Sequence, residues 1–134
     1  MNRHRFGQVA LAIFAIAFGL LTIASGGHIL FGDEEARRAA GHYVPFVLWF
    51  NFLAGFAYVG AGLTIFRSPP WAAKSALGIA GATALVFAGL GIHIAMGGSF
   101  EVRTIAALTF RTLIWCAIYL LLSRSLTQTR KLRQ

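Results

Sequence analysis

The chain has 134 residues, 57% of them hydrophobic and 12% charged, with a net charge of +8. A soluble domain carries about 25% charged residues and leaves roughly 30% of its unfolded surface exposed even at 150 residues, so this apolar mass excludes a soluble enzyme, a secreted scaffold or a disordered tail. The charge of +8 would point to nucleic acid only if the cations shared one face, and their order along the chain argues otherwise.

A membrane-crossing helix needs about 20 mostly apolar residues. Four runs meet that need: 6–31, 43–66, 75–96 and 104–122. They lack the strict alternation of barrel strands, which are about 10 residues long. The first run contains Gln8 and His28 and exceeds the 7–15 apolar residues of a cleaved signal peptide, so it reads as a retained helix. The second opens with Pro45, tolerated in a first helical turn, and is interrupted by Asn51. The third carries His93 as its one titratable group, and the fourth contains Arg111. Residues 32–42, 67–74 and 97–103 are the connections, and Pro69-Pro70 marks a tight turn in the second of them. The expected fold is all-α, a four-helix transmembrane bundle forming a single integral membrane domain over residues 1–134.

The cations sort by connection. Eight lie at one end: Arg3, Arg5, Arg67, Lys74, Arg124, Arg130, Lys131 and Arg133. Three lie at the other, Arg37, Arg38 and Arg103, together with all four acids, Asp33, Glu34, Glu35 and Glu101. Cytoplasmic loops carry the Lys/Arg excess, so both ends of the chain are expected inside, N-in/C-in, in a multi-pass protein of the cell membrane. Arginine-rich composition points to a bacterial inner membrane. The positive charge then labels topology and attracts anionic lipid. The bilayer is the expected partner, with a homodimer or a larger membrane complex as the protein partners and no nucleic acid. Cys116 stands alone and reads as a small buried hydrophobe.

An internal repeat is visible. His28 with Gly32 is matched 65 residues later by His93 with Gly97. Glu35, Arg37, Ala40 and Trp49 are matched 66 residues later by Glu101, Arg103, Ala106 and Trp115. The pattern predicts two duplicated helical hairpins related by an axis along the membrane normal. The first and third helices would then lie diagonally, with His28 and His93 at one depth and able to face each other. Small residues at helical spacing, as in Ala24/His28/Gly32, Gly89/His93/Gly97 and Asn51/Gly55/Tyr58/Gly62, predict close helix faces. Both Trp49 and Trp115 lie too deep for an interfacial belt and read as core.

Polar side chains inside a bilayer are costly and turn toward the bundle interior. Three readings of the polar groups at the acid-bearing, outer end follow. A transition metal would take His28, His42, His93, Glu35 and Glu101, since imidazole with carboxylate suits zinc, copper, iron or nickel. A b-type haem would take His28 and His93 as axial ligands, with Arg38, Arg103 or Arg111 on its propionates. In the third, these groups only satisfy local partners, and the protein is an accessory or structural subunit of a larger membrane complex without its own cofactor. Arg111 either reaches outward along its helix or acts as the counter-ion of a buried carboxylate or an anionic ligand. The expected function is ligand binding by a small polytopic membrane protein at an outer-side His/Glu/Arg site. Transport is disfavoured by the few polar groups deep in the spans, Asn51 and Arg111. No nucleophile–base arrangement is legible, so no catalytic residue follows, and whether the protein is an enzyme stays open.

Overall fold

A computed structural model describes residues 3–67 and 69–134, with only the backbone described for His4 and Pro69. The described residues form five helices: α1 (Arg3–Phe31), α2 (Glu34–Ala40), α3 (Pro45–Arg67), α4 (Pro69–Ala95) and α5 (Val102–Leu132). Four of these, α1, α3, α4 and α5, are long and apolar enough to cross a membrane, the arrangement of a multi-pass membrane protein. The acids lie at one end of the bundle, here the acidic end, and the cation-rich connections at the other, the basic end.

Three departures from the sequence reading concern boundaries. Residues 34–40, expected as plain connection, form α2 because Asp33 caps it: its carboxylate accepts from the Ala36 N–H at 3.0 Å. Gly41 then ends the helix in the left-handed region, at φ 71°. Pro69 and Pro70 begin α4 rather than forming a turn, since an N-terminal helical turn needs no N–H from them. Residues 123–132, beyond the expected fourth span, continue α5 as a polar extension toward the basic end.

Packing is tightest between α1 and α3, then between α4 and α5, and α3 also packs on α4. The α1–α3 seam is built on small residues. A Cβ added at Gly55 would stand 2.9 Å from the Gly19 carbonyl oxygen, and one at Gly62 would stand 3.0 Å from that of Ala12. Only hydrogen fits between backbones this close, which is how helices gain dispersion contact in lipid. The expected face Asn51/Gly55/Tyr58/Gly62 is therefore a packing face, with its last three residues buried. Ala24 and His28 are instead exposed, and α1 packs through Ala12, Ala15, Gly19, Thr22 and Gly26.

One core runs through all four long helices. Ala12 and Ala15 of α1 meet Tyr58 and Ile65 of α3, Ala76 of α4, and Trp115 and Leu122 of α5. A smaller cluster of Val44, Val47, Leu90 and Leu108 closes the α3–α4–α5 side nearer the acidic end. The repeat-related tryptophans part company: Trp115 is fully buried, whereas Trp49 is 47% exposed and packs edge-on against Phe31 and Phe52. Cys116, expected inside, faces outward beside the buried Trp115.

Candidate functional site

A cavity of about 220 Å³ opens at the acidic end between α1, α3 and α5. Polar side chains from all three helices line it, and Thr22, Asn51 and Arg111, one from each, carry buried atoms without a partner. Each lies six to nine residues inside its helix, which at 1.5 Å per residue is about 9 to 14 Å from the helix end. Three chains of different origin thus converge at one depth. Ala40, Tyr43, Glu101 and Arg103 surround the mouth.

The polar atoms inside the cavity are short of partners. Thr22 Oγ1, Asn51 Oδ1 and Arg111 Nη1 are all buried without a hydrogen bond. Thr22, and Thr104 at the start of α5, differ from the other threonines of the spans. Thr64, Thr83, Thr109 and Thr112 each donate to a carbonyl three or four residues back in their own helix, the usual way a hydroxyl is satisfied in lipid. The Thr22 hydroxyl does not. Arg111 does not reach outward along its helix; it turns inward, with its guanidinium carbon 5.9 Å from the Phe18 ring centre. That ring stacks on Tyr58 at 5.3 Å, and Tyr58 packs on Trp115 at 4.9 Å. The cation rests on an aromatic column, a favourable placement for a charge with little water. Among the described residues no carboxylate lies within ion-pair distance of Arg111.

The mouth is organised by α5. Glu101 accepts from the His42 backbone N–H at 2.8 Å, and its carboxylate abuts Gly41. Arg103 donates from Nη2 to the Ala39 and Ala40 carbonyls at 3.3 Å each. Those carbonyls end α2, where a cation is favoured by the helix dipole. Glu101 and Arg103 therefore clasp the α2–α3 connection onto the start of α5 and give the mouth its shape. The equivalent Arg37 donates instead to the Leu30 carbonyl at 3.4 Å, so the repeated arginines do different work.

The expected metal ligands are not brought together. Among the described residues no three of His, Cys, Asp and Glu gather into a group able to hold a metal ion. His28 is exposed on α1 and Glu35 is exposed on α2. His42 takes part through its backbone, and Glu101 is engaged by it. His93 Nε2 donates to the Ser99 carbonyl at 3.0 Å, with its ring edge-on to Phe46. Neither His28 nor His93 lines the cavity, so it lacks the histidine pair that axial haem ligation requires. The physical reason is rotation: residues at equal depth on two helices face each other only if both helices turn that face inward, and α1 turns Thr22 and Gly26 inward instead. Of the expected cofactor-binding residues, the cavity keeps Arg103 and Arg111.

Sequence reasoning overlooked Thr22 as a site residue. Its signal was available: a hydroxyl, with Ser25 three residues on, in an otherwise apolar run at the depth of Asn51 and Arg111. Comparison of the chain with protein-family profiles, curated proteins and solved structures returns no match.

Proposed function

We propose that the protein binds a small organic anion, a carboxylate, in the cavity at the acidic end, with Arg111 as its counter-ion. The observation that carries this reading is the unpaired guanidinium of Arg111. Placing arginine deep in a span costs about 3 kcal/mol on insertion scales, and a buried donor without an acceptor adds about 1–3 kcal/mol. An anion supplied from outside offsets both. Carboxylate suits the site because the planar guanidinium meets two oxygens at once. The Thr22 hydroxyl and Asn51 amide then offer neutral hydrogen bonds to the rest of the ligand. Arg103, held by the α2 carbonyls, offsets the Glu101 carboxylate at the mouth.

The distribution of cations supports an orientation with both chain ends in the cytoplasm and the cavity opening outward, in a bacterial inner membrane. The two tight pairs, α1 with α3 and α4 with α5, are what two duplicated hairpins would produce.

The test is a thermal-shift titration of the purified full chain with acetate, pyruvate and benzoate. At least one carboxylate stabilises the wild type, and Arg111→Gln weakens that binding by about 10- to 100-fold, the worth of a charged hydrogen bond. Arg38→Gln, on an exposed i,i+4 pair with Glu34, leaves it unchanged. Equal binding by Arg111→Gln and wild type would overturn the reading.

A second reading, an accessory subunit of a larger membrane complex, draws on an exposed aromatic ridge. Phe31, Trp49, Phe52 and Phe56 interlock edge-to-face along α1 and α3. A stable partner captured in mild detergent, with no carboxylate binding, favours it over the first.

A further inference from the structure

The basic end of the bundle carries a second recess, unrelated to the anion cavity. Two adjoining hollows of about 270 and 380 Å³ lie there, lined by α1 and α5 and sharing Gln8 and Ser125. Arg3 edges one hollow and Lys131 the other, and Gln128 lies beside Lys131. On the membrane side the walls become apolar, through Leu11, Leu121 and Leu122. One seam therefore runs from two cations through neutral hydrogen-bonding groups to hydrocarbon.

Two further observations bear on what fills it. First, no side-chain carboxylate stands at this end to balance these cations: all four acids, Asp33, Glu34, Glu35 and Glu101, belong to the acidic end. Second, Gly7 lines the seam, and a Cβ added there would meet nothing within 4 Å. Unlike Gly19 and Gly55, it is not required by any helix of this chain, yet glycine within a helix is disfavoured relative to alanine. Its bare backbone widens the seam.

We infer that this seam binds one anionic phospholipid, its phosphate between Arg3 and Lys131 and an acyl chain over Gly7 and the leucines. The order of chemistry along the seam is that of a lipid entering from the bilayer: charge, polar linkage, hydrocarbon. Basic recesses between membrane helices take lipid headgroups by the same logic. A free phosphate would use the cations alone and leave the apolar wall and the Gly7 gap without a role.

Native mass spectrometry of the full chain, released from detergent containing equal phosphatidylglycerol and phosphatidylcholine, tests this. The wild type retains one phosphatidylglycerol in preference to phosphatidylcholine. Arg3→Gln with Lys131→Gln weakens retention by about 25-fold, near fivefold per cation. Gly7→Leu keeps both cations, its Cβ meets nothing within 4 Å, and it also releases the lipid. Arg37→Gln with Arg38→Gln, at the other end, changes nothing. Equal retention of the two lipids would overturn the inference. So would wild-type retention by Gly7→Leu, or full displacement of the lipid by an equal concentration of inorganic phosphate.

Discussion

Arg111 and Thr22 show what a single side chain can disclose in a membrane protein. Each is a polar group that its own helix leaves unsatisfied. Arg111 was legible from sequence as an intramembrane cation; its direction was not, because nothing in the local pattern says whether a long side chain turns outward or into the bundle. The histidines failed for the same reason. His28 and His93 repeat in sequence, but repetition fixes depth and leaves rotation free. At the mouth, Glu101 holds the His42 N–H. Glu101→Ala is therefore expected to lower stability by about 1–2 kcal/mol, the scale of a charged hydrogen bond lost at a half-exposed site, measured by reversible unfolding in mixed micelles. Gly41→Ala is expected to cost a similar amount, because Gly41 sits at φ 71° and its new Cβ would strike the Glu101 carboxylate. Combining the two should cost less than their sum, since removing the carboxylate removes the collision. Strict additivity would show that the two residues do not touch.

The four long helices were legible to within a few residues at most ends, because length and hydropathy alone decide whether a segment can span. Which face of each helix turns inward was not. In lipid the outward face is as apolar as the inward one, so hydrophobic periodicity carries no signal, and Trp49 and Trp115 look alike although one is exposed and the other fully buried. Small residues carry the information instead. The buried face of α3 was found through Gly55 and Gly62, whereas the sequence reading chose the wrong stripe on α1 by following His28 rather than Ala12, Ala15 and Gly19. The seam gives a paired prediction. Gly55→Val must push against the Gly19 carbonyl and Ile23, and is expected to cost about 1–3 kcal/mol as overpacked contacts do. Gly60→Ala, in open space on the same helix, should be neutral or stabilising by up to about 1 kcal/mol. Both are read by unfolding in mixed micelles, and equal effects would mean that α1 and α3 do not meet through Gly55. α2 and the start of α4 escaped the sequence reading because short capped helices and paired prolines resemble turns until the cap geometry is seen.

For the molecule as a whole, the net charge of +8 divides into a basic end, a near-neutral acidic end and one buried cation, and each part has its own expected role. In the proposed orientation the eight cations of the basic end face the cytoplasm, which predicts that thiol reagents impermeant to the membrane label a cysteine placed at Arg38 from outside the cell and one placed at Arg67 only after lysis. The reverse pattern would invert the orientation without moving the cavity. The buried cation is the centre: an arginine on an aromatic column, lining one cavity with Thr22 and Asn51, with no acid in reach among the described residues. Anomalous diffraction from crystals soaked in bromoacetate tests it most directly. A bromine peak is expected inside the cavity between α1, α3 and α5, with the carboxylate on Arg111. An empty cavity, or Arg111 paired with a carboxylate or carbonyl of the protein itself, would contradict it.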